Sequence, residues 1–553
     1  MSITPEEILI QELIKSKVKT PDELARLKRK ISKEYKVSSI SNIELLQAYH
    51  NLVKKGKIEK NEVVEKLLVK RKIRSLSGIV AVSVLTKPYP CPGHCIYCPQ
   101  VKGFPKSYLP GEPAAERAKR LNFDPYLQVQ KRLEMLENEG HNTDKIELRI
   151  IGGSFSSYPR DYKEWFLEEC FRAANEFNKN PKSQNNTTRL LRSARNDLKK
   201  AQKKNETAKH RIVGASIETR PDLIDTSEIQ QLRKLGITLV ELGVQTIFDD
   251  ILKICQRGHG VQETIKATKL LKDAGFKVLY QMMPNLPGAT PERDLAAFKE
   301  IFENPDFKPD WLKIYPCLVL KEAPLYKLWK EGKYKSYSDE ELIELLCEIK
   351  KMVPYWVRIA RLFRDIPSPE IQGGSKISNL REVVLERLKE EGQRCKCIRC
   401  REVKENYDPK EKIYLKREDY EASQGKEIFL SFENKERTKL FAFLRLRIPS
   451  EVFSKEKHFI PCLKDSAVIR EIHTYGLLVP ISKKLLAPQH QGLGKKLVRE
   501  AEKIVYTEFN RSAEKEFGLK KIAVISGVGV RDYWRKLGYR CQNTYMVKKL
   551  NLR

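Results

Sequence analysis

The chain has 553 residues, room for about three or four domains, and 41% of them are hydrophobic, enough for ordinary cores. It contains no run of about 18 uncharged apolar residues and no cleavable signal at Met1–Lys17, which excludes a membrane-spanning or secreted reading and predicts a soluble, cytoplasmic protein. A formal charge of +32 costs self-repulsion unless a polyanion offsets it, so nucleic acid is the expected partner, with a merely Lys-rich thermophilic composition as the bland alternative.

Residues 1–75 read as a basic helical region. Thr4 before Pro5, and Thr20 before Pro21, have the pattern of N-caps with proline at the first helical position and acids in the first turn. Lys54, Lys55, Lys57, Lys70, Arg71, Lys72 and Arg74 then crowd together, either as a solvated face or as a phosphate-contacting patch. From Gly78 the pattern changes. "GIVAVSVLT", "IELRIIGGS", "RIVGASIETRP", "ITLVELGVQT", "FKVLYQMMPNLPG" and "WLKIYPCLVL" alternate with amphipathic helices, which predicts one α/β domain over 76–367 with a parallel sheet, open or barrel-like. Its functional residues belong at the C-terminal strand ends. The polar, basic stretch Asn178–Arg211 reads as a mobile insertion. Residues 368–412 read as a linker, and 413–553 as a second α/β unit with an antiparallel flavour.

Twelve cysteines in a cytosolic chain do not suit a disulfide framework. Six stand singly and read as small buried hydrophobes. Cys91, Cys95 and Cys98 sit in "CPGHCIYCP", directly after the first strand. Three thiolates from one loop can hold three irons of a [4Fe–4S] cube and leave one iron open for substrate; zinc is the alternative. C-x3-C-x2-C with an aromatic before the last cysteine resembles the radical-SAM signature, and the later strand ends support the likeness. Gly152, Gly153 and Ser154, then Glu218 and Arg220, Gly243 and Gln245, and Asn285, Pro287 and Gly288 resemble that superfamily's walls for S-adenosylmethionine. Cys395, Cys397 and Cys400 in "CKCIRC" suit a structural Zn2+, or a redox pair.

"QHQGLG" places Gln489, Gly492 and Gly494 at a helix start, where backbone N–H groups and the positive helix end bind a pyrophosphate. This resembles the acyl-CoA loop of GNAT acetyltransferases. Tyr533 and Trp534 stand where such enzymes place an aromatic beside the thioester, and a Tyr hydroxyl can protonate a leaving thiolate. Glu471 and His473 lie on or beside the preceding strand.

Radical-SAM and GNAT modules in this order, with "CIYCP", "GGSFSSYPRDY", "ETRPD", "LGVQT", "KIYPCLVL", "REIHTYG", "QHQGLG" and "VISGVGVRDYWRKLGY", closely resemble the catalytic subunit of Elongator from about residue 70 to the end. The resemblance implies a tRNA wobble-uridine carboxymethyl synthase that uses acetyl-CoA and S-adenosylmethionine. It implies a partial (β/α) barrel, a zinc-stapled linker and a C-terminal GNAT-like domain. Cys91, Cys95 and Cys98 would hold the iron–sulfur cluster, and Cys395, Cys397 and Cys400 zinc. Gly152, Gly153, Ser154, Glu218 and Gln245 would meet S-adenosylmethionine. Acetyl-CoA would meet Lys145, Glu471, Ile472, His473, Thr474, Gln489, Gly492, Leu493, Gly494, Lys495 and Trp534. Trp534 stands where the family usually has Tyr, so Tyr533 becomes the acid candidate, with Glu471 and His473 as further catalytic candidates. Ser154 replaces a family Thr. The basic N-terminal helices would grip the tRNA backbone. A protein lysine acetyltransferase with the cluster as scaffold is the rival reading. Homo-oligomer formation is left open, and no motif identifies the electron donor.

Overall fold

The computed structural model describes residues 4–69, 76–177, 194–404, 407–454, 456–476, 489, 491–509 and 518–550. Four helices come first: α1 (Pro5–Lys15), α2 (Pro21–Glu34), α3 (Asn42–Lys54) and α4 (Glu62–Leu68). Their starts follow the sequence. Thr20 with Glu23 and Ser41 with Glu44 close reciprocal capping boxes, each satisfying two orphan N–H groups. Leu9, Ile10, Leu13, Leu45, Tyr49 and Leu52 form their shared core. Lys54, Lys55 and Lys57 end α3 fully exposed; Lys70, Arg71, Lys72 and Arg74 lie outside the described residues.

The second body is a seven-stranded, wholly parallel sheet. It takes β1 (Val80–Leu85), β2 (Lys145–Ile151), β3 (Arg211–Thr219), β4 (Leu239–Gln245), β5 (Lys277–Met282) and β6 (Trp311–Ile314) in sequence order. After the short β7 (Val319–Leu320), the strand β8 (Arg358–Arg361) pairs with β6 and ends the sheet, and β9 (Ile371–Gly373) pairs with β7. Helices cover its outer face. On β2, Ile146, Leu148 and Ile150 pack under those helices, whereas Lys145, Glu147 and Arg149 point to the concave side. The strict alternation makes the concavity polar. It is the half-barrel expected from the strand–helix pattern.

Three expectations change here. The insertion narrows, because Ala194–Asn205 is a helix and Arg211 already begins β3. Leu198 is buried, the Asn205 amide donates to the His210 carbonyl at 3.0 Å, and Glu206 pairs with Arg535 at 2.8 Å. Polar bonds rather than an apolar stripe hold the segment, so its composition concealed it. Within the predicted linker, helix Leu380–Glu390 packs Leu380, Val384 and Leu388 into the barrel's own core, where Cys395 and Cys397 also sit. Of the single cysteines, Cys541 is exposed; the other five are buried as expected.

The last body is a mixed sheet of β10 (Tyr414–Ala422), β11 (Gly425–Glu433), β12 (Leu440–Ile448), β13 (Ser466–Thr474), β14 (Lys521–Val524), β15 (Arg540–Gln542) and β16 (Tyr545–Lys549), ordered β10-β11-β12-β13-β14-β16-β15. All pairs are antiparallel except β13–β14. That pair runs only from Ser466 to Ile469 before the strands part.

This sheet lies against the barrel through buried charges. The barrel gives Lys272, Asp273 and Asp310; the sheet gives Glu427, Arg445, Arg447, Arg470 and Glu471. Arg470 forks onto Asp310 and reaches Glu427 at 3.0 Å. Arg447 bridges Asp273 at 2.6 Å and Glu427 at 3.0 Å, and Lys272 stands 3.7 Å from both Asp310 and Glu427. Arg445 joins Glu471 at 2.9 Å. Bases and acids balance, as charges out of water must. Between these contacts, Gly527 and Gly529 press onto β3. A Cβ on Gly527 would lie 2.0 Å from the Val213 carbonyl oxygen, so only glycine fits.

Removing one partner strands the rest, so Asp310→Ala should cost about 3–5 kcal/mol. Denaturant unfolding should show a large fall in midpoint; an unchanged midpoint would exclude a structural role for the network.

Candidate active site

Two cavities open at opposite ends of the barrel. The cavity at the N-terminal strand ends measures about 800 Å³ and has walls from both sheets. The barrel contributes Lys145, Glu147, Arg149, Lys277 and Trp311. Facing them are Glu471–Thr474 of β13, Gln489, Gly492–Lys495, Tyr533 and Trp534. The structure thus gathers at one place every residue that the sequence resemblance assigns to acetyl-CoA.

Local geometry explains the gathering. Because β13 leaves β14 after Ile469, its backbone from Ile472 to Thr474 has no β14 partner on that side. Gly492 takes a left-handed φ of 81° to start helix Leu493–Ile504, whose first N–H groups have no intrahelical acceptor. A Cβ on Gly494 would approach the Tyr533 hydroxyl to 3.2 Å. Gln489 ties the two bodies together, accepting from Lys145 Nζ at 3.0 Å and donating to the Thr474 carbonyl at 3.1 Å.

The titratable groups differ in what they can do. Burial pushes the Tyr533 hydroxyl up to about 12, so it stays protonated at neutral pH. Glu471 is buried yet net lowered, because Lys277 at 3.7 Å and Arg445 at 2.9 Å outweigh desolvation. A carboxylate so held is a poor base and a firm acceptor; Trp311 Nε1 donates to it at 3.4 Å. Burial lowers His473, whose Nε2 donates to the Ser77 carbonyl at 2.7 Å.

The cavity at the C-terminal strand ends, about 140 Å³, is lined by Cys91, Cys95 and Cys98 together with Gly153, Ser154, Glu218 and Gln245. Gly152 stands just behind. Its φ of 139° and a virtual Cβ 1.9 Å from Thr86 Oγ1 demand glycine, and its N–H meets Glu218 Oε2 at 3.4 Å. Gln245 has φ 72° and a buried, unbonded Oε1; Arg220 has an unbonded buried Nη1. Such groups suit a polar cofactor. Asn285 is buried with φ 67°.

The two thiol groups differ in spacing. A tetrahedral zinc with bonds near 2.3 Å needs its sulfurs roughly 3.8 Å apart. Among the described residues, only Cys395, Cys397 and Cys400 bring ligand atoms of three or more such side chains within 4.8 Å of one another. Buried Lys350 stands 3.8 Å from the Cys400 sulfur and offsets thiolate charge. The wider Cys91, Cys95, Cys98 set suits a cluster, whose irons spread the ligands.

Between the cavities lies a charged layer that the motifs did not reveal. Lys313 bridges Glu241 and, at 3.3 Å, Glu218; Ser216 donates to Glu241 at 3.3 Å and Tyr108 to Glu218 at 2.7 Å. Arg257, also unforeseen, donates to the Cys95 sulfur at 3.4 Å. Period-two polar positions in "ASIET" (Ser216, Glu218) and the polar residues inside "LVELG" (Glu241) and "LKIY" (Lys313) were the available signal for the layer; Arg257 had none.

Residues 89–300 match the Radical SAM superfamily and residues 309–390 the Radical_SAM C-terminal domain. Barrel and cysteine rim are therefore those of a radical SAM enzyme. The chain is 48% identical over 508 residues to "tRNA uridine(34) acetyltransferase" of Methanocaldococcus infernus, covering 89% of each chain. It is 40% identical to human "Elongator complex protein 3" over 86% of this chain and 85% of that one. The solved archaeal Methanocaldococcus infernus Elp3 with an N-terminal deletion superposes with a TM-score of 0.71 at 45% identity, covering 86% of this chain and 100% of the other. The chain belongs to the family of tRNA uridine(34) acetyltransferases and Elongator complex protein 3.

Asp294 supports the strand end at Asn285, accepting from its N–H at 2.7 Å and from the Tyr337 hydroxyl at 2.9 Å. Burial nevertheless pushes it up to about 6. The folded state thus holds a proton that the unfolded carboxyl releases near pH 4. This contribution is complete below about pH 4 and is lost as pH rises to 6. Asp294→Asn should therefore gain on the parent by up to about 2–3 kcal/mol between pH 4 and 7. A pH-independent difference in denaturation midpoints would refute the assignment.

Proposed function

We propose that this chain is a tRNA uridine(34) acetyltransferase that converts the wobble uridine to 5-carboxymethyluridine. Acetyl-CoA would occupy the larger cavity, S-adenosylmethionine the cysteine rim and Zn2+ the Cys395, Cys397, Cys400 trio. One observation carries the reading: the cavity formed by the GNAT-like sheet is floored by the same barrel strands that bear the cysteines at their far ends. A relative named "tRNA uridine(34) acetyltransferase" supports the coarser part of the reading, acetyl transfer at uridine 34 of tRNA.

An acetyltransferase ordinarily delivers its carbonyl to an amine, and uridine C5 offers none. When bound, the cluster and S-adenosylmethionine supply an adenosyl radical able to take hydrogen from an unactivated C–H bond such as the acetyl methyl. The chain's own residues do the rest. The unpaired edge at Ile472–Thr474 suits the amide-bearing arm of CoA, and the N–H groups from Gly492 to Lys495 suit its pyrophosphate. Addition of the acetyl carbon to C5 would leave a thioester that water hydrolyses to the carboxylate, and Tyr533, which keeps its proton, would offer it as a hydrogen bond to the CoA thiolate released in that step. Glu471 and His473, each fixed by partners, position this wall. Exposed Lys54, Lys55 and Lys57 would contact tRNA phosphates, Lys70, Arg71, Lys72 and Arg74 lying outside the described residues. The domains would be the basic helices (1–75), the radical SAM domain (76–367), the zinc-bearing linker (368–412) and the transferase domain (413–553). No helix among the described residues is long and apolar enough to cross a membrane, in keeping with a cytoplasmic tRNA enzyme. An external electron donor is required.

Anaerobic turnover with methyl-labelled acetyl-CoA and tRNA should place label on the wobble uridine by mass spectrometry. Label on a lysine-rich peptide instead, with none on tRNA, would favour the protein acetyltransferase. Gly494→Val, which crowds Tyr533, should weaken acetyl-CoA binding at least tenfold and leave tRNA binding intact; unchanged affinity would place acetyl-CoA elsewhere.

A further inference from the structure

Arg257 is a buried cation without a carboxylate of its own. It follows the helix Asp249–Ile254 in a turn whose Gln256 and Gly258 take φ of 53° and 80°, which swings the side chain under the cysteine loop. There Nη1 donates to Cys95 Sγ at 3.4 Å, Nη2 donates to the Gly243 carbonyl, and Nε has no partner. The other arginines of this cavity each meet a carboxylate, and its lysine, like Arg257, meets a carbonyl. Arg220 forks onto Asp222 at 2.9 and 3.0 Å, Arg364 reaches Glu112 at 2.6 Å, and Lys106 bonds the Gly93 carbonyl. No salt bridge joins Arg257 to a carboxylate among the described residues. The geometry is locked from two sides: Arg220 Nη2 donates to the Arg257 carbonyl at 2.9 Å, and the Ile96 N–H donates to the Cys255 carbonyl at 3.1 Å. The cysteine loop and the Arg257 turn thus hold each other.

We propose that Arg257 is a positioning residue that fixes the Cys95 sulfur and raises the reduction potential of the cluster this sulfur ligates. Reduction adds one electron, and so one negative charge, to the cluster core, the electron coming from the external one-electron donor that radical SAM chemistry requires. A fixed positive charge and an N–H···S hydrogen bond both stabilise that added charge, and in a buried, low-dielectric setting they do so strongly. Because the guanidinium remains protonated throughout, no proton accompanies the electron, and the effect is independent of pH across the neutral range.

The test is a dithionite titration of the reconstituted full chain, followed by the low-temperature EPR signal of the reduced cluster. Iron and sulfide content would be measured on the same samples. Arg257→Met should lower the equilibrium constant for reduction at least tenfold, about 59 mV for one electron. Arg257→Lys should stay within about threefold of the parent, and Arg257→Gln, which keeps a donor but loses the charge, should fall between. A fully loaded Arg257→Met cluster with the parent's potential overturns the proposal. If Arg257→Met does not load iron, the Lys and Gln variants decide: equal potentials overturn the proposal, and a lower one for Gln supports it. Failure of the parent itself to take up a cluster would instead count against the iron–sulfur assignment.

Discussion

Lys272, Arg445, Arg447 and Arg470 meet Asp273, Asp310, Glu427 and Glu471 in a space closed to water. Each charge is costly there alone and tolerable only in place. Apolar surfaces can slide over one another at little cost, whereas forked guanidinium–carboxylate contacts fix both distance and angle. The network therefore sets how the C-terminal sheet sits on the barrel, and the large cavity follows from that placement. Glu471 makes the link direct, since it belongs to the network through Arg445 and to the cavity wall through its position on β13.

The barrel serves two sites with one set of strands. Parallel strands offer every loop that follows them at one end and every loop that precedes them at the other. The cysteine loop lies at the first end, where open parallel sheets generally bind their ligands. The second end is usually plugged, but here another sheet covers it and leaves a cleft. Glu218, Glu241 and Lys313 divide the interior between the two. From Lys145 to Ile151 the strand β2 advances roughly 20 Å at 3.3 Å per residue, so the separation is short for a molecule but long for a bond.

Much of this was legible in the sequence, and the exceptions share a cause. Strands buried under helices read as apolar runs, and "CPGHCIYCP" and "QHQGLG", singled out by spacing within a few residues, both contribute to cavity walls. What escaped were residues whose role depends on distant chain. Arg257 meets a sulfur 162 positions away. Helix Ala194–Asn205 belongs to a fold whose C-terminal arginines hold the adjoining Glu206, and helix Leu380–Glu390 finds its core only once the barrel exists. Gly527 and Gly529, inside "VISGVGVRDYWRKLGY", also let the chain press on the backbone of β3, a contact with Arg211 and Val213, far back in the chain, that no local pattern announces.

That backbone contact bears on how the molecule can move. At Gly527 the Val213 carbonyl oxygen is set against a glycine α-carbon, so at that point of the seam no side chain of residue 527 can roll or slide, and the contact resists rocking. Ion pairs on one side and bare backbone on the other hold the C-terminal sheet to the barrel as a keystone is both pinned and bedded.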